Sequence, residues 1–192
     1  AATRHMQELL DEPARGADRP GAPVMPRIER DITFDRVSFT YEGSDQPVID
    51  NLSLKIPVGR SIAVVGPSGS GKSTLLNLIL RLYVPTKGRV AIDGVDISRV
   101  TRDSLRANMA VVFQENMLFN RSLRENIRLG KEGATDEEVE QAARKAEIHN
   151  FIVSLPEGYD TIVGERGDTL SGGQRQRIAI AGAIVRDPSV LL

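Results

Sequence analysis

Nine consecutive residues constrain this chain more than any others: Gly66, Pro67, Ser68, Gly69, Ser70, Gly71, Lys72, Ser73 and Thr74. Their spacing is Gly-x-x-x-x-Gly-Lys-Ser, in which glycines let the backbone curl with its N–H groups turned inward around phosphate. The helix that follows presents its positive end to the same place. In such a loop Lys72 reaches the β- and γ-phosphates of a nucleotide, and the Ser73 hydroxyl coordinates Mg²⁺. Both flanks suit it. Ser61-Ile62-Ala63-Val64-Val65 reads as a strand buried on both faces, and a helix is predicted from Lys72 to about Tyr83, ending before Pro85. A dinucleotide fingerprint Gly-x-Gly-x-x-Gly fails here, because Thr74 stands where its last glycine should be.

Around this loop the pattern is α/β. Residues 1 to about 27 form a separate segment, rich in Pro, Gly, Ala and Arg between Pro13 and Pro26, the composition of a linker. The globular part begins near Ile28. Ile32, Phe34, Val37 and Phe39 read as strand with partial alternation, and Leu52, Leu54 and Ile56 alternate more cleanly. Val90 and Ile92 lead into an Asp93-Gly94 turn. From about 115 to 165 the character becomes mainly helical. Thr135 caps a helix with Glu138 three residues on, and Val139, Ala142, Ala143, Ala146, Phe151 and Ile152 recur at roughly helical spacing. The acidic run Asp136-Glu137-Glu138 is favourable charge at that helix start. A further capped helix is predicted from about Gly172 to Val185, with a strand beginning between Ser189 and Leu192. His5 and His149 read as surface or helix-packing residues, and Asp93 and Asp96 as turn residues rather than metal ligands.

A second motif, Leu170-Ser171-Gly172-Gly173-Gln174, lies about one hundred residues after the first. Its glycines at a helix N-terminus make an anion site. With both motifs in view, the chain from about Ile28 to Leu192 resembles the nucleotide-binding domain of an ATP-binding-cassette (ABC) transporter. The resemblance implies a P-loop NTPase core with a mainly parallel sheet, incomplete here, an N-terminal antiparallel β subdomain and a helical insert. It implies ATP and Mg²⁺ as ligands. Tyr41 corresponds to the aromatic that stacks on adenine, and Gln114, after Val111-Val112-Phe113, to the glutamine that reaches Mg²⁺ and the attacking water. Ser171, Gly172, Gly173 and Gln174 would act in trans, closing on ATP held by the phosphate loop of a second nucleotide-binding domain in a head-to-tail dimer.

Val163-Gly164-Glu165-Arg166-Gly167 before the second motif is similar to exporters, as are Met117-Leu118-Phe119-Asn120 and Arg124-Glu125-Asn126-Ile127. Glu8-Leu9-Leu10-Asp11-Glu12-Pro13 resembles the linker leaving a last membrane helix. The expected setting is therefore the cytoplasmic face of a membrane, with a transmembrane domain of the same transporter as partner and this piece itself soluble. The family's Mg²⁺-orienting aspartate and water-activating glutamate would directly follow Val190-Leu191-Leu192. Hence the expectation that this chain holds ATP, with no catalytic residue of its own beyond Gln114 as an aid. The family's later strands would also flank Ser61 to Val65, which here is expected to lack a neighbour. Gly182 departs from the family, which usually has a basic residue there.

Composition excludes several other classes. A formal net charge of −1 argues against a nucleic-acid binder, and the absence of cysteine rules out disulfides and thiolate metal sites. The longest apolar stretch, Leu75 to Val84, is interrupted by Asn77 and Arg81 and falls short of the roughly twenty residues of a membrane span. Two alternatives remain open. One is a non-catalytic nucleotide-binding or dimerisation module; the other is a soluble ABC ATPase not involved in transport, against which the exporter-like runs speak.

Overall fold

The computed structural model describes residues 18–114, 117–164 and 169–192. They divide into two compact units, with the boundary between Arg106 and Ala107.

The first unit is built on an antiparallel sheet. Strands β1 (Asp31–Phe39), β2 (Ile49–Pro57), β3 (Lys87–Ile92) and β4 (Val95–Asp96) lie in the order β2-β1-β3-β4. Central β1 places Ile32 between Ile56 and Ile92, and Phe34 between Leu54 and Val90. The partial alternation of β1 has a definite cause. The register shifts between Phe34 and Val37, where Arg36 takes φ 50, so the buried set moves from Ile32 and Phe34 to Val37 and Phe39. On β2 the half-buried residues are Leu52, Leu54 and Ile56, as their spacing predicts. Helix α1 (Lys72–Ile79) follows the glycine loop, and a single 3-10 turn (Ile97–Arg99) leads to α2 (Arg102–Ala107).

Asp93 and Gly94, at φ 53 and 85, form the two-residue turn between β3 and β4. The Asp93 carboxylate accepts N–H bonds from Glu29, Arg30 and Asp31 at 2.8 to 2.9 Å, so it anchors the chain entering β1. Burial alone would raise its carboxyl, but these three donors and the Arg30 charge outweigh it and hold it below its ordinary value of 3.8. A carboxyl lowered in the folded state contributes stability that is full above the ordinary value and lost as pH falls through the folded one. Asp93→Asn is expected to destabilise this unit by about 1 kcal/mol at pH 7, a figure discounted for solvent screening. In thermal melts taken from pH 7 downward, the gap between variant and parent should hold above 3.8 and narrow as pH falls below it. A gap independent of pH would contradict the assignment.

Two expectations for this unit are corrected. Ser61 to Val65 forms no ladder with any described strand and is exposed throughout, Val65 reaching 87%. An apolar run reads as a buried strand only if strands stand on either side to satisfy its backbone. The expectation of burial therefore does not hold for this run. Helix α1 also ends at Ile79 rather than near Tyr83, because Arg81 turns to φ 51 and the Leu82 N–H reaches back to the Asn77 carbonyl.

The second unit is mainly helical. It contains β5 (Met109–Ala110), α3 (Leu123–Arg128), α4 (Asp136–Lys145), α5 (His149–Ser154), a 3-10 turn (Gly158–Asp160), α6 (Gly172–Ile184) and β6 (Val190–Leu191). The parallel pairing among the described residues is that of β5 with β6, extended by the Val112 N–H donating to the Leu192 carbonyl. Thr135 and Glu138 form the predicted reciprocal cap of α4, and Ser122 with Glu125 does the same for α3. One core joins Leu123 and Ile127 of α3, Val139 and Ala143 of α4, Ile152 of α5 and Ile178 and Ala181 of α6. Asn126 is buried on α3. Its side chain receives the Phe119 N–H and donates to the carbonyls of Phe119, Arg121 and Ser122, which pins the Met117–Asn120 loop.

Candidate functional site

Gly66 to Ser70 lie exposed ahead of α1, with a tight turn from the Ser70 N–H to the Pro67 carbonyl. Gly71 is the residue before the helix and sits at φ 87. A Cβ there would strain this left-handed backbone and press against the Val48 carbonyl at 3.2 Å, so glycine suits the position. Lys72 opens the helix and bends back over the loop. Its ammonium donates to the Gly66 carbonyl at 2.9 Å and to the Pro67 carbonyl at 2.7 Å. The loop is thus closed around a positive charge at a helix N-terminus, with its backbone in solvent. Ser73 is exposed beside it, and Thr74 is buried.

These features fit a triphosphate. The ammonium is held by neutral carbonyls, which phosphate oxygens can outcompete, and the Ser73 hydroxyl is open to a cation. Among the described residues no group of three or more His, Asp or Glu side chains forms a protein-only metal cage.

Tyr41 stands next to this loop. Its hydroxyl is 2.8 Å from the Thr74 hydroxyl, and its ring meets Phe39 and Tyr83 edge-on at centroid distances of 4.9 and 5.3 Å. Tyr83 also packs on Phe39 at 5.2 Å. The aromatic trio fixes the Tyr41 ring in orientation. Sequence reading singled out Tyr41 alone; the signal for Tyr83 was an aromatic just past the helix and before Pro85.

The other two elements belong to the second unit. Gln114 is exposed on the segment that follows β5. Ser171 is the N-cap of α6. Its hydroxyl accepts the Gln174 N–H at 3.2 Å, and the Gln174 side chain accepts the Ser171 N–H at 2.8 Å. The Gln174 amide oxygen is thus engaged at its own helix start, while its NH2 group has donors left over. The Ser171 hydroxyl keeps its proton to donate, and exposed Gly172 and Gly173 carry the first N–H groups of a thirteen-residue helix. The Arg175 guanidinium ties this turn to the Leu170 carbonyl at 2.6 Å. His149, at the start of α5, packs on the 3-10 turn, its Nδ1 2.9 Å from the Tyr159 hydroxyl. Burial, with Glu140 nearby, pushes that phenol up to about 12, so it stays protonated at neutral pH. Glu165, Arg166 and Gly167 of the exporter-like run, and His5 and Glu8 to Pro13, lie outside the described residues.

With this geometry in hand, comparison with known proteins places the chain. The family model for ABC transporters matches residues 49–192. The chain belongs to the ABC transporter family, and its fold is that of an ABC exporter's nucleotide-binding domain. It is 46% identical over 187 residues to an ATM1-type heavy metal exporter of Novosphingobium aromaticivorans, covering 97% of this chain and 31% of that protein. It is likewise 46% identical over 170 residues to the Beta-(1→2)glucan export ATP-binding/permease protein NdvA of Bartonella bacilliformis, covering 88% of this chain and 28% of the relative. Among solved structures, a bacterial Atm1-family ABC exporter with ATP bound superposes with a TM-score of 0.90 at 46% identity, over 98% of this chain and 33% of that one. The chain thus spans about a third or less of these proteins.

Proposed function

We propose that this chain is the ATP-binding part of an exporter's motor, working at the cytoplasmic face of a membrane beside a transmembrane domain. Gly66 to Thr74 bind the phosphates of Mg-ATP, Ser73 meets the metal, and Tyr41 lies against the adenine. Gln114 reaches toward the metal and the attacking water. Ser171, Gly172 and Gly173 face the ATP of a second nucleotide-binding domain, arranged head to tail. Gln174 belongs to the same trans-acting surface, its amide oxygen holding the cap and its amide nitrogen left to donate. The residues assigned are binding residues throughout.

One observation carries the reading: Lys72 closes the glycine loop on two of its own carbonyls at the start of α1. The Tyr41 ring, fixed beside Thr74, supports the adenine assignment. No helix among the described residues is long and apolar enough to cross a membrane. Relatives named for heavy-metal and for glucan export match at the same 46%, so this stretch does not discriminate cargo.

The test is sedimentation with and without Mg-ATP. Nucleotide is expected to drive self-association, because each bound ATP completes the partner's site. Ser171→Arg places a bulky side chain at the helix start and is expected to weaken association at least about tenfold while leaving ATP binding intact. A chain that binds Mg-ATP yet stays monomeric at every concentration would sink the head-to-tail arrangement.

A further inference from the structure

The segment composed like a linker does not run free at its end. From Asp18 onward it lies against the first unit, and Met25 and Ile28 are buried. The Pro23 carbonyl accepts the Thr101 N–H at 2.9 Å, and the Met25 N–H donates to the Ser104 hydroxyl at 2.7 Å. Its most consequential contact is made by a carboxylate. One oxygen of Asp18 accepts the Arg102 N–H at 2.9 Å, and the other lies 3.1 Å from a guanidinium nitrogen of Arg81 and 3.6 Å from that of Arg102.

Arg81 is an unusual residue to find there. Its side chain is only 5% exposed, and the nitrogen that faces Asp18 also donates to the Val100 carbonyl at 2.6 Å. A guanidinium cannot shed its charge when buried, so a carboxylate beside it matters more than a surface pair does. Arg81 is also bound to the phosphate-loop helix. Its own N–H donates to the Leu78 carbonyl, and the N–H of neighbouring Leu82 donates to Asn77. The chain of contacts runs from strap to carboxylate, to buried guanidinium, to the last turn of α1, whose first residue is Lys72.

We infer that Asp18 is a positioning residue, a latch that makes docking of the strap at 18–25 and seating of the end of α1 a single event. When the strap leaves, Arg81 loses a facing carboxylate inside the fold and the turn that closes α1 loosens with it. Coupling of this kind is reciprocal: whatever steadies the helix also steadies the strap. That the helix carries a nucleotide loop rests on the function proposed above, but the latch itself does not.

The experiment is amide hydrogen exchange on the full chain without nucleotide, comparing parent, Asp18→Asn and Asp18→Glu. Three groups of amides are followed: Met25, Thr101 and Arg102 at the strap; Leu80, Arg81 and Leu82 at the helix end; and the β1–β3 ladder as an internal reference. Asp18→Asn should accelerate exchange by about tenfold or more in the first two groups together while the ladder stays at parental rates. Asp18→Glu, which keeps the charge, should retain most of the protection. Acceleration at the strap alone, at all three groups equally, or at none would overturn the proposal. With no nucleotide present, its failure leaves ATP binding untouched, and failure of ATP binding leaves it standing.

Discussion

Alanine at position 130 is expected to cost the second unit about 3 kcal/mol or more, whereas alanine at 182 is expected to stabilise it. The contrast follows from one close approach. Gly130, just beyond α3, lies against the backbone of α6 at Gly182. A Cβ at 130 would fall 1.7 Å from the Gly182 carbonyl oxygen, 2.7 Å from its carbon and 2.9 Å from a Val185 methyl. Relief would require α6 to retreat, and α6 carries Ile178 and Ala181 into the core, with Val185 just beyond its end. A Cβ at 182 meets only ordinary contacts, the Asn126 and Ile127 carbonyls at 3.6 Å, and removes a glycine from a helix interior. That exchange is worth about 0.5–1 kcal/mol. Urea unfolding of the two variants measures both signs at once. Equal midpoints for Gly130→Ala and the parent would show that the helices do not pack this closely.

Lys72→Ala is expected to weaken Mg-ATP binding by about a hundredfold or more. Two losses combine. The ammonium is the charge offered to the phosphates, and its bonds to the Gly66 and Pro67 carbonyls are what close the loop in the absence of ligand. Hydrogen bonds to a charged group contribute about 1.5–3 kcal/mol each, and 2.7 kcal/mol is a hundredfold in affinity. Lys72→Arg should restore little, since a planar guanidinium does not reproduce a point donor placed between two carbonyls. Both variants should melt close to the parent, because Lys72 is half-buried and makes no contact with the core residues Leu75 and Leu78 through its ammonium. A fall in melting temperature that matched the loss of binding would point to unfolding instead.

What could be read from the chain and what could not divides along physical lines. Features set by neighbours a few residues away were legible. The Thr135–Glu138 cap and the Asp93-Gly94 turn stand where the pattern put them. The glycine loop and Lys72 were legible for the same reason, since the spacing is the mechanism. Even the imperfect alternation of β1 was informative, and its cause is the bulge at Arg36. Features set by partners distant in sequence were not legible. Nothing in Ser61 to Val65 says whether strands flank it. Nothing in Arg81 announces a left-handed turn or a carboxylate from residue 18. Gly182 reads as a departure from the family pattern, and its contact with Gly130 shows the two backbones meeting there.

The most direct test of the account is calorimetric titration of Mg-ATP into the unmodified chain, with Lys72→Ala run beside it. Saturable binding of one nucleotide per chain is expected, weakened about a hundredfold or more in the variant. A flat trace from both proteins, or identical binding by both, would mean that the loop from Gly66 to Thr74 is not the nucleotide site in this chain.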